Sequence, residues 1–248
     1  MSAVDYEKAY KAGKKDYQQR MARGEKPTLQ VLDDILPSRG EYAEVPLGLV
    51  QIPIEQIVGT KTNGRSNAFA GNFMPILEEG TEFSQKWTDL SNYQKTEGIR
   101  DPIKAYEYMN QFYVEEGNKR VSVMKYFDAV SIPGTVTRLI PPKNDSTECK
   151  MYYEFLHFYE LTRINYIWFS KEGSFAKLQE LTGKGPDDIW SEDELIDFRS
   201  IYYRFKEEYD KKNSNLPITV GDAFLTLIEL HGYINICNMT FDDLKALI

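Results

Sequence analysis

The sequence predicts an α+β fold, in which a small sheet with helices is preceded by a helical N-terminal arm and followed by a mainly helical C-terminal domain. Two observations carry this prediction. In the first part of the chain, short β-branched and aliphatic runs alternate with helical patterns. In the last part, apolar residues recur at helical spacing, and a Ser or Thr precedes a Glu or Asp by three residues at the predicted helix starts.

A change in composition marks the domain boundary. Residues 141–147 are polar and proline-rich, which is typical of a linker. We therefore expect the arm at residues 1–40, the sheet domain at 41–142 and the helical domain at 148–248. The chain stops within an apolar helical pattern, which favours a truncated helical domain and a further fused domain.

The N-terminal arm has two parts. Residues 2–24 are highly charged, and their tyrosines near helical spacing predict a helix with a thin apolar stripe, which Gly24 ends. A second apolar stretch follows at residues 29–36. Because termini with apolar faces are usually tied down, the arm is expected either to pack on the body of the chain or to contact another subunit of a homo-oligomer.

The sheet is predicted from three short runs. Residues 45–58 are rich in β-branched and aliphatic side chains, and Pro46 and Pro53 favour an edge or irregular strand there. Residues 103–108 and 111–115 are separated by two residues, which suits a β-hairpin. The second hairpin strand leads directly to Gly117.

A glycine followed by a cationic helix start is the most informative functional signal. Exposed amides and the positive end of the helix dipole favour an anion, and nearby cations add charge and directed donors. Apolar residues on one face of the helix would anchor it in the core, so its N-terminus would point outward. The sequence therefore predicts a phosphate or nucleotide site at Gly117, Asn118, Lys119 and Arg120.

Other segments contain candidate contributors to the same site. A turn at residues 98–102, bounded by Gly98 and Pro102, would border the pocket through its backbone. The glycine-rich loop at residues 59–72 has the composition of a functional loop, and the alternative is a solvated loop.

Four motifs in this order resemble the ParB/sulfiredoxin-like family over about residues 45–141. They are an opening strand at residues 50–57, a Gly-x-x-x-Pro turn at 98–102, a Gly-x-x-Arg helix start at 117–120 and a closing strand at 132–138. The resemblance implies the small mixed sheet of that family and a nucleotide-binding site at the helix start. It also implies that the loop at residues 59–72 lies close to the ligand, which makes Lys61 and Arg65 candidates for a second source of cations at the anion site.

The departures from the family pattern limit the chemistry. Sulfiredoxin has a cysteine directly after the motif glycine, where this chain has Asn118, which argues against thiol repair. The ParB form is Gly-Glu-Arg-Arg, so Asn118 and Lys119 replace its second and third residues while Arg120 is kept. Some relatives are amino-acid kinases with a carboxylate near the first strand, and Glu55 lies in the corresponding region.

Three functions remain open. The first is a nucleotide- or phosphate-binding regulatory module, in which Mg2+ would accompany the nucleotide near Glu115 and Glu116 unless those residues are only a solvated strand end. The second is a phosphotransferase or nucleotide hydrolase of the same fold. The third is a ParB-like DNA-binding protein. The candidates for a catalytic base in the second are Glu55, Asp101, Glu115 and Glu116.

The amino-acid composition limits the classes of partner that the protein is expected to bind. The net charge of -8 disfavours a nonspecific grip on DNA. No apolar stretch is long enough for a bilayer, and the N-terminus has no signal-peptide core, so we expect a cytoplasmic protein without a membrane partner. The 2 cysteines and 2 histidines are too few for a disulfide framework or a metal signature, and no confident metal site is predicted.

An aromatic-rich segment at residues 152–169 has two interpretations. Aromatic platforms stack on nucleic-acid bases, and Arg163 lies nearby. The alternative is a buried core formed by two strands or by a strand and a helix. Few basic residues are interleaved with the rings, which favours the core.

Overall fold

The chain divides after Pro142 into two units, Met1–Pro142 and Lys143–Ile248. The computed structural model describes residues 2–36, 42–212 and 218–248, so the end of the expected arm at residues 37–40 lies outside the described residues. The first unit combines helices with a six-stranded mixed sheet, and the described elements of the second unit are helices. The predicted α+β class is therefore confirmed.

The first unit is built around one sheet with strand order β1-β3-β5-β4-β6-β2. Strands β1/β3, β3/β5 and β4/β6 pair in parallel, and β4/β5 and β2/β6 pair antiparallel. Its elements are α1 (Ser2–Ala22), β1 (Gln30–Val31), α2 (Leu32–Ile35), β2 (Ala43–Pro53), β3 (Ile57–Thr60), α3 (Glu82–Thr96), β4 (Ile103–Tyr108), β5 (Gln111–Glu116), α4 (Asn118–Tyr126) and β6 (Ser131–Ile140).

The N-terminal segment belongs to this unit. Helix α1 packs against α3, which is the intramolecular alternative expected for the arm. The expectation that the arm is helical throughout is wrong, because β1 joins the sheet beside β3. A side chain at Gly59 would lie 2.4 Å from the Gln30 carbonyl oxygen, so the glycine permits this close approach.

Strand β2 lies at the sheet edge, as its two prolines favoured, and it is irregular between Pro46 and Gly48. The expected single strand at residues 50–57 is wrong. Strand β2 ends at Pro53, a 3-10 turn occupies Ile54–Gln56, and β3 begins at Ile57.

The predicted hairpin between β4 and β5 is confirmed. Its two turn residues, Met109 and Asn110, have φ values of 54° and 57°, the left-handed conformation of a tight type I′ turn. The buried Glu107 stabilises the turn, because its Oε1 accepts a hydrogen bond of 2.6 Å from the Asn110 amide. Its second carboxylate oxygen pairs with the equally buried Arg138 on β6.

The second unit contains α5 (Thr147–Thr162), α6 (Ser174–Leu181), α7 (Glu192–Lys211), α8 (Val220–His231), α9 (Tyr233–Cys237) and α10 (Phe241–Leu247). The three predicted capping boxes are present and start α7, α8 and α10. The short helix α9 lies between α8 and α10. None of the helices in the described ranges is long and apolar enough to cross a membrane.

The aromatic-rich segment forms part of the core of the second unit. Tyr152, Phe155 and Phe158 are buried on α5, and Phe169 is buried in the irregular segment that follows. The buried-core interpretation is therefore confirmed, although the segment contains a helix and no strand. Spacings of three residues place the rings of Tyr152, Phe155 and Phe158 on one helix face.

The core of the first unit lies between one face of the sheet and helices α1, α3 and α4. Trp87 on α3 is fully buried there, and its Nε1 donates a 2.8 Å hydrogen bond to Ser122 Oγ on α4. The rings of Tyr6 and Tyr126 each pack edge-on to the indole at 5.5 Å. One side chain therefore joins three helices.

We expect Ser122→Ala to lower the free energy of unfolding of the first unit by about 1–3 kcal/mol, because the Trp87 N–H would be buried without its acceptor. Urea denaturation followed by circular dichroism measures the change. Ser131→Ala is the control, because its hydroxyl makes only a long, exposed bond to Gln51. Equal effects of the two substitutions would contradict the proposed importance of the buried hydrogen bond.

A carboxylate on α1 ties this helix to α3 and α4. Asp5 accepts hydrogen bonds from Ser91 and Lys95 on α3 and from Tyr126 on α4. Burial by itself raises the pKa of Asp5, but these hydrogen bonds and the Lys95 charge hold the pKa below its usual value of 3.8. The ionised form is therefore the one that stabilises the packing of α1.

Asp5→Asn should reduce thermal stability at neutral pH, and the deficit relative to the wild type should shrink as the pH falls below 3.8. A carboxyl whose folded-state pKa is lowered contributes stability above its unfolded-state pKa and loses it as the pH falls through the folded-state value. Thermal unfolding of both proteins between pH 7 and pH 2.5 provides the comparison. A constant difference across this range would contradict the role of the ionised carboxylate.

Candidate functional site

A cavity of about 420 Å³ lies at the N-terminus of α4, where the sequence predicted an anion site. Strand β5 ends at this cavity. The loop before α3 forms one wall, and the 3-10 helix Asn63–Ala68 forms another. We call it the Gly117 cavity. It is lined by Gly64, Ala68, Phe69, Leu77, Phe83, Glu115, Glu116, Gly117, Asn118 and Lys119.

Gly117 is the N-cap of α4 and has a left-handed φ of 110°. A Cβ atom there would lie 2.6 Å from Ile103 Cγ2, so no other residue fits without displacing the sheet. Glycine offers no side-chain acceptor, and α4 accordingly has no side-chain cap. The first-turn amides of a helix have no intrahelical acceptor, and amides in this position are suited to binding an anion.

Asn118 is the first residue of α4 and is only 7% exposed. Its Nδ2 donates a 3.4 Å hydrogen bond to Thr60 Oγ1, and that hydroxyl donates to the Val114 carbonyl at 3.0 Å. This chain of donors orients the amide. Within the described residues, the buried Asn118 Oδ1 has no hydrogen-bond partner. Buried acceptors normally accept a hydrogen bond, so a ligand or a water molecule would be the donor to this oxygen.

One side of the Gly117 cavity is apolar. The rings of Phe69 and Phe83 meet edge-on with centroids 5.2 Å apart, and Leu77 lies on the same lining. Lys119 Nζ lies 4.8 Å from the centroid of the Phe83 ring, so the cation stands between the aromatic wall and the helix N-terminus. The cavity therefore has an apolar side and an end with amide donors and a cation.

Two carboxylates stand next to the amide end. Glu116 pairs with Lys104 at 2.9 Å, and this hydrogen bond lowers the pKa of Glu116 below its usual range. Glu115 also lines the cavity. In the part of the chain that the structure describes, no group of three or more His, Cys, Asp or Glu side chains could hold a metal ion. A cation at this place would therefore need ligands from a bound phosphate as well.

Arg120 contacts the backbone of the 98–102 turn, whereas the sequence analysis expected it to bind a phosphate. Its Nη1 donates to the carbonyl oxygens of Asp101 at 3.0 Å and Pro102 at 2.7 Å. The guanidinium therefore holds the 98–102 turn against α4. Gly98, with a φ of 79°, and Pro102 are not among the described residues that line the cavity.

Lys61 and Arg65 are the two cations of the glycine-rich loop that the sequence analysis offered for the anion site. The Lys61 side chain pairs with Asp33 and lies over the Tyr106 ring, whose cluster packs on the opposite sheet face from α4. The structure therefore places the Lys61 side chain on the opposite face of the sheet from the Gly117 cavity. Arg65 belongs to the 3-10 helix beside the cavity, and its side chain lies outside the described residues.

The candidate catalytic carboxylates are dispersed. Glu55 lies near Lys125 in the last turn of α4, far from Gly117. Burial lowers the pKa of Lys125 to about 8, and the negative charge of Glu55 partly offsets this effect. Asp101 is an exposed residue of the 98–102 turn. Of the four candidates, Glu115 and Glu116 line the cavity.

The apolar wall was missed by sequence reasoning. Phe69 lies within the glycine-rich loop, Leu77 lies in an irregular segment, and Phe83 fits the helical pattern of α3. The available signal was the position of Phe69 within an otherwise small and polar loop, because an isolated aromatic residue in such a loop usually packs on a neighbouring wall or ligand.

A scan against protein-family models returned no match for this chain, and a search of curated proteins returned none.

Gly117→Ala should destabilise the first unit by about 2–5 kcal/mol, because a positive φ is costly for alanine and the new Cβ would collide with Ile103. Gly24→Ala is a matched control, since Gly24 has a φ of 71° and open space around its missing Cβ. We expect this control to lose about 1–2 kcal/mol. Urea unfolding compares the two, and equal losses would refute the close contact at Gly117.

Proposed function

We propose that this chain binds a nucleotide or another phosphorylated small molecule in the Gly117 cavity and acts as a regulatory binding module. The observation that carries the proposal is the N-terminus of α4, which has no side-chain cap and opens into the cavity. Amides at a helix N-terminus suit phosphate oxygens, and the helix dipole favours negative charge. Lys119 adds a cation at the same end.

The remaining lining agrees with a nucleotide. Phe69, Leu77 and Phe83 offer an apolar surface for a base or sugar, and a donor group on the ligand would satisfy Asn118 Oδ1. Ligand pockets commonly combine a mostly apolar lining with a few placed polar groups. A volume of about 420 Å³ lies within the range of small-molecule sites.

We propose further that about residues 45–141 of the first unit form a ParB/sulfiredoxin-like domain. The support is the order of the glycine turn, the glycine helix start and the closing strand along the chain. The glycine turn and the glycine helix start flank the β4–β5 hairpin, and the arginine of the second motif bonds to the backbone of the first. In this proposal the two motifs form one structural unit, in which Arg120 joins turn and helix.

Mg2+ would fit beside a bound phosphate. The ion commonly takes one or two carboxylates and completes its octahedral shell with phosphate oxygens and water. Glu115 and Glu116 would hold it, and it would neutralise charge on the phosphate groups.

A phosphotransferase or nucleotide hydrolase is the second candidate. The observation that favours it is the pair of carboxylates, Glu115 and Glu116, on the lining next to the amide end. One of them would accept a proton from an acceptor hydroxyl or water. Chromatographic detection of nucleoside diphosphate from a triphosphate would support this candidate, and loss of that product in Glu115→Gln would assign the base.

The ParB-like DNA-binding alternative has less support. The net charge is -8, and α10 begins with Asp242 and Asp243 in its first turn. Carboxylates at the start of a helix would repel the phosphate backbone that a recognition helix must approach.

We expect a ribonucleoside triphosphate with Mg2+ to raise the thermal unfolding temperature of the wild type, because a ligand that binds only the folded state stabilises it. Lys119→Gln should weaken binding about tenfold, through loss of a charge-assisted contact. A thermal-shift screen of ATP, CTP, GTP, UTP and inorganic tripolyphosphate, followed by calorimetric titration, measures both effects.

Lys14→Gln is the matched control for this experiment. Lys14 is also a helical lysine over an aromatic ring, 5.7 Å from the Tyr10 centroid, and it is outside the cavity lining. The affinity of the Lys14→Gln variant for the phosphate compounds should equal that of the wild type. Absence of binding by the wild type to every compound would refute the proposed function, and an equal loss in both lysine variants would refute the assigned site.

A further inference from the structure

We propose that Tyr6 of the N-terminal helix is a positioning residue for the apolar side of the Gly117 cavity and thereby sets its preference for a nucleotide over phosphate alone. This inference rests on the proposed function. Tyr6 is outside the lining of that cavity and would act through Leu77, which belongs to it.

The contact between these residues is a single directed hydrogen bond. Tyr6 Oη donates to the Leu77 carbonyl oxygen at 2.7 Å. The Tyr6 side chain is 1% exposed, and burial raises its pKa well above the usual value of 10.0. The phenol therefore remains a neutral donor at physiological pH, and its ring is held edge-on to Trp87.

Leu77 lies in an irregular segment that depends on such tethers. The preceding Ile76 amide donates to the Ala68 carbonyl at 3.1 Å, and the segment ends where Thr81 caps α3. Leu77 itself is 36% exposed, so core packing alone does not fix its position. The Tyr6 hydroxyl holds the backbone of the residue whose side chain completes the apolar wall.

Helix α1 is well placed to hold this segment steadily. Asp5, the neighbour of Tyr6, is bonded to Ser91, Lys95 and Tyr126. A helix anchored at consecutive residues to α3 and α4 offers a fixed reference point for the loop between the sheet and α3. The N-terminal helix thus contributes to ligand preference as well as to stability.

The two ends of the cavity respond differently to this tether. The amide end is formed by α4 and is independent of the Tyr6–Leu77 bond. Tripolyphosphate would use only that end, whereas the base and sugar of a nucleotide would also contact the wall of Leu77, Phe69 and Phe83. Loss of the tether should therefore change the ratio of the two affinities.

Tyr6→Phe is the direct test, because it removes the hydroxyl and keeps the ring against Trp87. Calorimetric titrations use inorganic tripolyphosphate and whichever of ATP, CTP, GTP and UTP binds the wild type best, all with Mg2+. We expect the nucleotide affinity to fall about fivefold, the effect of one lost hydrogen bond, while tripolyphosphate affinity stays unchanged.

Tyr10→Phe is the matched control, since Tyr10 lies on the same helix and packs against the same core cluster. It should leave both affinities at their wild-type values. Leu77→Ala is the second variant if Tyr6→Phe does not fold, and it should produce the same selective loss.

The outcomes separate this inference from the proposed function. If the wild type binds nucleotide and tripolyphosphate, and the ratio of these two affinities is unchanged in Tyr6→Phe and Leu77→Ala, the role of Tyr6 is overturned. The proposed function is not affected by that result. An equal loss for both compounds also overturns it, because it indicates general destabilisation. Failure of the wild type to bind either compound overturns the proposed function, and the inference fails with it.

Discussion

The hydrogen bond from the buried Trp87 indole to Ser122 organises the first unit. It holds α4 against α3, and the contact of the Tyr6 ring with the Trp87 indole packs α1 against the same two helices. A buried N–H without an acceptor would be costly, so the pairing of these two helices is strongly specified. Because α4 is held along its length by the core, its first turn stays in position at the end of β5, and the Gly117 cavity forms there.

The charges around this cavity favour particular ligands. Glu115 and Glu116 line it together with the single lysine at position 119, so a bare polyanion would meet repulsion as well as attraction. A phosphate group accompanied by a cation would avoid that cost, and the apolar wall would favour a ligand with an organic portion. The charges and the apolar wall are therefore both compatible with the proposed class of ligand, to which the helix amides would provide the specific contacts.

Local signals predicted much of the fold. The β4–β5 hairpin, the start of α4 and the three capping boxes were recognisable because each depends on residues within a few positions of one another. The edge position of β2 followed from its prolines. By contrast, β1 could not be foreseen, because a two-residue strand depends on the close approach that Gly59 permits to a segment about thirty residues away.

For the candidate site, the sequence by itself determined the glycine helix start, with Asn118 and Lys119 beside it, since a left-handed N-cap followed by cations is a local property of the chain. Tertiary structure decided which other residues join it. It directed Arg120 to the 98–102 turn, Lys61 to the opposite face of the sheet and Glu55 to the far end of α4. It also brought Phe69, Leu77 and Phe83 together, because the side-chain direction and packing of distant segments are set only when the sheet and helices assemble.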